Sequence, residues 1–120
     1  MSITNLQITT AWTIASQVYS GELTLTDGVS ILSNENGLNM GSARCFIYLF
    51  KCLMEGKMFH FGTTEPAMRL VMEQIFNQHG KQGLIQALTA LRSHIEHGET
   101  NYAKNMKKMR QVVDDFELLT

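Results

Sequence analysis

Apolar residues recur along the chain at spacings of three and four, and they seldom alternate singly with polar ones. This spacing is typical of helices that bury one face. The only proline, Pro66, gives little reason to break a helical backbone elsewhere. A chain of 120 residues is long enough for one hydrophobic core. We therefore predict an all-α fold, a compact bundle of five to six helices in a single domain over residues 1–120, with no strand.

The helix boundaries follow from capping residues and glycines. Threonine and asparagine side chains cap helix N-termini, and glycine adopts the left-handed conformation that ends a helix. The first helix is expected over residues 5–20, with Trp12 in the core. The residues expected to cap later helices are Thr24 or Thr26, Asn39, Thr63 or Thr64, and Thr100 or Asn101. The expected stops are Gly21, the turn 34–37, Gly56, Gly80 and Gly98.

Composition and charge narrow the possible partners. The formal net charge of −1 argues against a protein wrapped in nucleic acid, but it leaves room for a local basic patch. There is no leader-like N-terminus and no apolar run of about 20 residues, so a cytoplasmic protein is expected. Cys45 and Cys52 lie seven residues apart in one predicted helix, roughly 10 Å along its axis, and are expected to be reduced thiols.

Residues 29–54 have the outline of a helix-turn-helix, with a short helix, a glycine turn and a longer second helix. In that interpretation four side chains would face nucleic acid, and Arg44 would reach a phosphate or a guanine edge. The four are Asn39, Ser42, Arg44 and Lys51. Residues 45–53 are strongly apolar, however, which favours a central buried helix. Both interpretations stay open from the sequence.

Four short segments together resemble one known module. They are Ser20-Gly21-Glu22, residues 35–44 (ENGLNMGSAR), residues 54–57 (MEGK) and residues 83–91 (GLIQALTAL). The chain resembles, over residues 18–116, the helical accessory domain of bacterial HNH-type, modified-cytosine-specific restriction endonucleases. The resemblance implies a module that reads or holds DNA beside a nuclease. It does not imply DNA cutting, because the HNH nuclease motif is missing. Residues 59–65, FHFGTTE, replace a polar, arginine-containing segment of the family.

A second basic cluster lies near the C-terminus. The residues expected to share one face of the last predicted helix are Lys104, Lys107 and Lys108. Such a face is usually solvated. In the functional alternative it forms a phosphate-binding stripe together with Lys81 or Arg92.

Catalysis has little support in the sequence. His94 and His97, three residues apart on one predicted helix, are the only histidines expected to meet, and two ligands do not make a structural zinc site. They are expected on the surface. No nucleophile triad, glycine-rich phosphate loop or metalloprotease motif is present. We therefore expect no enzyme activity, no metal and no cofactor.

Two function classes remain. One is a non-catalytic module of prokaryotic or phage DNA metabolism or defence, which binds DNA or assists a nuclease. The other is a protein-binding inhibitor or adaptor, for example a phage anti-defence protein, acting on a nuclease complex. The second is favoured by methionines that suit an adaptable surface, notably Met54, Met58, Met68 and Met72. Either module would be compatible with a homodimer, and residues 57–64 form either a functional loop or a packed connector.

Overall fold

The computed structural model describes residues 3–60 and 62–120. Over these residues the chain is helical and contains no strand, which confirms the predicted all-α class. The helices are α1 (Asn5–Tyr19), α2 (Leu25–Asn34), α3 (Met40–Glu55), α4 (Glu65–Tyr102) and α5 (Lys107–Glu117). Within the described ranges, no helix combines the length and the apolar character needed to cross a membrane. Phe61, in the 57–64 segment, lies outside the described residues.

The chain divides into two compact units, Met1–Lys51 and Cys52–Thr120. The single domain over residues 1–120 therefore stays a prediction. In the first unit Trp12 is fully buried, as predicted, and its ring meets Phe46 edge-on at 4.7 Å between centroids. Gly28 of α2 lies against α1, where an added Cβ would sit 2.5 Å from a methyl of Val18. A glycine at this position therefore permits the close contact between α1 and α2.

Three predicted caps are confirmed, each by a side-chain oxygen that accepts a backbone N–H of the first helical turn. The acceptors are Thr24 Oγ1 (3.0 Å from Asp27 N), Asn39 Oδ1 (2.7 Å from Ser42 N) and Thr64 Oγ1 (3.3 Å from Ala67 N). A fourth cap, at Thr4, forms a reciprocal capping box with Gln7. These starts depend on neighbouring residues only, which is why the sequence shows them.

The long helix α4 consists of two helical segments joined at Gly80. This glycine has φ 68° and ψ −159°, a conformation available almost only to glycine. The predicted break at Gly80 is therefore present, although the second segment follows it directly. The described residues form five helices, which agrees with the predicted number of five to six.

The predicted stop at Gly98 and the predicted cap at Thr100 or Asn101 are wrong. The helix α4 runs through Gly98 to Tyr102 and ends at Ala103, which has φ 50°. Gly98 is buried, and an added Cβ would lie 3.4 Å from the sulfur of Met106. The connection between α4 and α5 folds back onto the helix at this point, where the Lys104 N–H donates to the Gly98 carbonyl at 3.1 Å.

Candidate functional site

The fold of this connection opens a cleft in the second unit. The cleft has a volume of about 740 Å³ and is lined by residues 62–66, His94 and residues 104–109. We call it the α5 cleft, because the N-terminus of α5 forms one wall. The rest of the lining, which we call the His94 wall, comes from the segment before α4 and from α4 itself. Residues far apart in sequence thus meet around one space.

The three lysines predicted to share a helical face lie at this cleft, but for a different reason. Lys104 belongs to the connection, whereas Lys107 and Lys108 are the first two residues of α5. The predicted common face is therefore wrong, because the helix is interrupted between residues 102 and 107. All three side chains are exposed and line the cleft. None of them forms an ion pair with a described residue; Lys104 Nζ lies 5.5 Å from the centre of the Tyr102 ring.

The arginines of this unit are used differently. They join α4 to α5 through ion pairs, because the planar guanidinium group can donate two hydrogen bonds to one carboxylate. The pairs between the two helices are Arg69 with Asp115, Arg92 with Glu117, and Arg110 with Glu99. Arg92 is thus engaged with a carboxylate, and Lys81 does not line the cleft. The predicted stripe that adds one of these two residues to the lysines is not formed at the cleft.

The N-terminus of α5 is poorly capped. Met106 provides no capping side chain, and Asn105 Oδ1 accepts only the N–H of Lys107, at 3.0 Å. The N–H groups of Lys108 and Met109 have no acceptor among the described residues. The first turn also contains no acidic residue. The positive charges of Lys107 and Lys108 lie at the positive end of the helix dipole, which is unfavourable. A negatively charged ligand would relieve this repulsion, so this wall favours a bound anion.

His94 forms a buried part of the His94 wall, with only 7% of its surface exposed. Its Nδ1 lies 2.6 Å from the carbonyl oxygen of Phe59, and the two rings stack at 4.2 Å. A carbonyl only accepts, so Nδ1 carries a hydrogen. Burial lowers the pKa of His94, and the charge on nearby Lys104 lowers it further, against the opposing effect of the Phe59 hydrogen bond. The ring is therefore neutral at pH 7, and Nε2 presents a lone pair.

The position of Nε2 connects His94 to the cleft. An added Cβ on Gly62, a cleft residue, would lie 3.0 Å from Nε2. Nε2 has no hydrogen-bond partner in the described part of the chain. The prediction that His94 lies on the surface is wrong, because Phe59 from the 57–64 segment covers it. That segment is consequently a packed connector at Phe59 and a cleft wall from Gly62 onwards.

His97 pairs with a histidine other than the predicted one. Its Nε2 lies 3.4 Å from Nδ1 of His60, and its Nδ1 lies 2.9 Å from the Asn101 amide nitrogen. The amide donates to Nδ1, which leaves the hydrogen on Nε2 to be donated to His60. Among the described residues no group of three or more histidine, cysteine or acidic side chains is placed to hold a metal ion. The pair is therefore a hydrogen-bonded surface contact.

The other candidate residues lie on or before α3. Arg44 and Lys51 are exposed, two turns apart, and form no ion pair with a described residue; Tyr48 lies between them and is 46% exposed. We call these three residues the α3 surface. Asn39 is exposed and uses its side-chain oxygen as a cap, whereas Ser42 is half-buried. One face of α3 is buried, and its opposite face carries these polar residues.

The methionines and cysteines separate by burial. Met68 and Met72 are fully buried, so they fill the core, whereas Met58 is 38% exposed. Cys45 is exposed, Cys52 is buried, and both are free thiols. Two of the four methionines that suggested an adaptable binding surface, Met68 and Met72, are therefore not part of any surface.

Searches for similar proteins returned no match to a family model, to a curated protein or to a solved structure. The α5 cleft and the α3 surface are therefore the two features that point to a function. Sequence reasoning selected the basic residues of both, but it missed His94 as a cleft residue. The Phe59 carbonyl that orients His94 is 35 residues away in the sequence, and no local pattern reveals that contact.

Proposed function

We propose that this chain is a non-catalytic module that holds DNA by its phosphates and works beside a nuclease in prokaryotic or phage DNA metabolism or defence. One observation carries the proposal. The arginines of the second unit are paired with carboxylates, whereas the three lysines at the open N-terminus of α5 are unpaired and surround one cleft.

This division of the cations suits phosphate binding. An exposed lysine that is not engaged with a carboxylate releases counterions when it neutralises a phosphate, which stabilises a complex with nucleic acid. The free N–H groups of α5 add donors that also favour phosphate oxygens. A formal net charge of −1 is compatible with this function because the positive groups are concentrated locally.

The α3 surface supplies a second contact of a different kind. Arg44 is exposed and forms no ion pair with a described residue, so its guanidinium is free to form two hydrogen bonds to a guanine edge. The sequence resemblance to the accessory domain of modified-cytosine-specific endonucleases supports DNA as the ligand and a nuclease as the associated activity. A cytoplasmic location and a place in restriction or a related defence system follow from this proposal.

Fluorescence anisotropy with labelled duplexes, plain and cytosine-modified, tests the proposal at two salt concentrations. Replacing Lys104, Lys107 and Lys108 together by glutamate should weaken binding to all sequences. The slope of log affinity against log salt should fall by about three, one for each lysine that no longer neutralises a phosphate. The matched control compares the single changes Lys107→Glu and Lys81→Glu, which alter the net charge equally. Only the first should weaken binding strongly.

A separate variant tests the α3 surface. Arg44→Ala should cost about 1–3 kcal/mol at preferred sites and reduce discrimination between sequences, with a much smaller effect on the salt slope than the triple lysine variant has. An equal loss of affinity for all duplexes would instead make Arg44 a backbone contact.

No binding at low salt, where attraction between opposite charges is strongest, would contradict the DNA proposal. The protein-binding inhibitor or adaptor would then be the better hypothesis. Co-purification with partners from the native cell would test that hypothesis, and the mass of the purified particle would test for a homodimer.

A further inference from the structure

The two walls of the α5 cleft present opposite hydrogen-bonding needs. The α5 wall offers N–H donors and lysine ammonium groups, which require an acceptor that carries negative charge. The His94 wall offers the Nε2 lone pair, which requires a donor. A ligand that satisfies both walls must therefore be an anion that also carries a proton.

We propose that the α5 cleft binds a phosphate monoester, the group found at the end of a nucleic-acid strand, in preference to the phosphodiester of its backbone. This inference rests on the proposed function and makes it more specific. It assigns to the cleft the recognition of a phosphorylated strand end, and it assigns to Nε2 of His94 the contact that distinguishes the two kinds of phosphate.

Proton chemistry separates the two kinds of phosphate. A phosphodiester in DNA has only acceptor oxygens at neutral pH, so it leaves Nε2 without a donor. A monoester has a second pKa of about 6, so near neutrality it exists partly with a P–OH group that can donate to Nε2. The alternative arrangement moves that proton to Nε2, and the dianion then accepts from it. Both arrangements contain one shared proton and the same number of hydrogen bonds.

The charges around His94 couple its protonation to the binding of an anion. Without an anion, burial and the neighbouring cations hold the pKa of His94 below its ordinary value. A bound phosphate would oppose both effects, so binding takes up a proton and should tighten as the pH falls from 8 to 6. Glu65 also lines the cleft, but Arg69 holds its carboxylate at 3.1 Å and reduces its repulsion of an anion. The charged and titratable groups near His94 or on the cleft are Lys104, His60, His97, Lys107, Lys108 and Glu65.

The test uses labelled oligonucleotides of one sequence that differ only in their ends, which carry a 5′-phosphate, a 3′-phosphate or hydroxyls. The wild-type chain should bind at least one phosphorylated strand about tenfold more tightly than the hydroxyl strand at pH 7, the value of one hydrogen bond to a charged group. The preference should be larger at pH 6 than at pH 8. Competition with a nucleoside 5′-monophosphate and with inorganic phosphate measures whether the group suffices without the strand.

The matched variant is His94→Asn. An asparagine amide places its nitrogen near the position of Nδ1, so it keeps a donor for the Phe59 carbonyl while removing Nε2. This variant should lose the preference for the phosphorylated end and keep the affinity for the hydroxyl strand. His79→Asn, at an exposed histidine outside the cleft, should keep the preference. Should His94→Asn fail to fold, nitrogen NMR of the wild-type imidazole replaces it, and inorganic phosphate should shift the His94 Nε2 signal.

The outcomes separate this inference from the function on which it rests. Equal affinity for phosphorylated and hydroxyl strands overturns the inference and leaves the DNA proposal standing. A phosphate-induced shift at His94 without any DNA binding supports the monoester site and overturns the DNA proposal. Competition by inorganic phosphate as strong as that by the phosphorylated strand supports the monoester chemistry but identifies a free phosphate as the ligand.

Discussion

The buried imidazole of His94 should make folding stability depend on pH. Burial is the largest cause that lowers its pKa in the folded protein below the ordinary value of 6.5. Well above pH 6.5 the ring is neutral in both the folded and the unfolded chain, so it contributes no pH dependence there. As the pH falls below that value the unfolded chain takes up a proton first. Stability should therefore decrease from there downwards until the folded protein is protonated too.

The decrease in stability has an upper limit, because the folded and unfolded chains differ at this site by at most one bound proton. A single group changes the free energy of unfolding by at most about 1.4 kcal/mol per pH unit within that window. His94 is only 7% exposed, so solvent screens its charge little. Lys104, His97 and His60 act in the same direction, since each disfavours a second positive charge nearby.

Urea denaturation in phosphate-free buffer at pH 8, 7, 6 and 5 measures the effect. The wild-type chain should lose more stability between pH 7 and pH 5 than His94→Asn, which keeps the hydrogen bond to Phe59 but does not titrate. All other side chains are common to the two proteins, so their contributions largely cancel in the difference. His79→Asn serves as the control and should follow the wild type. Identical pH profiles for wild type and His94→Asn would refute the argument that burial holds His94 neutral.

Three further predictions follow from the fold. Gly80→Ala should destabilise by about 1–3 kcal/mol through backbone strain alone, because an added Cβ meets no atom within 4 Å; an unchanged melting temperature would show that the kink is not maintained. Phe46→Ala and Leu88→Ala should each cost about 2–5 kcal/mol in urea denaturation, since both side chains are buried, and a small change would mean that they lie at the surface. Incubation of DNA with magnesium, manganese or zinc should give no hydrolysis, because the described residues place no ligand group for a metal-bound water; cutting abolished by His94→Ala would contradict this.

The glycines show where local reasoning succeeds and where it stops. At Gly80 the backbone itself requires a residue with positive φ, and the sequence predicts the break correctly. At Gly28, by contrast, the missing side chain makes room for Val18, and at Gly98 the same residue type lies inside a continuous helix. A glycine in the sequence does not reveal whether its backbone freedom or its small size is used, since the second depends on a residue packed against it in space.

The sequence by itself determined the all-α class, the burial of Trp12 and the helix start at Asn39, and it limited two other starts to Thr24 or Thr26 and to Thr63 or Thr64. These features depend on interactions within one helical turn or on the spacing of apolar residues along one helix. The candidate site depends on interactions of another kind. Only the tertiary structure places Phe59 over His94 and brings Lys104 to the start of α5, because both arrangements require chain segments that turn back on α4. The same lysines would otherwise form an ordinary solvated surface.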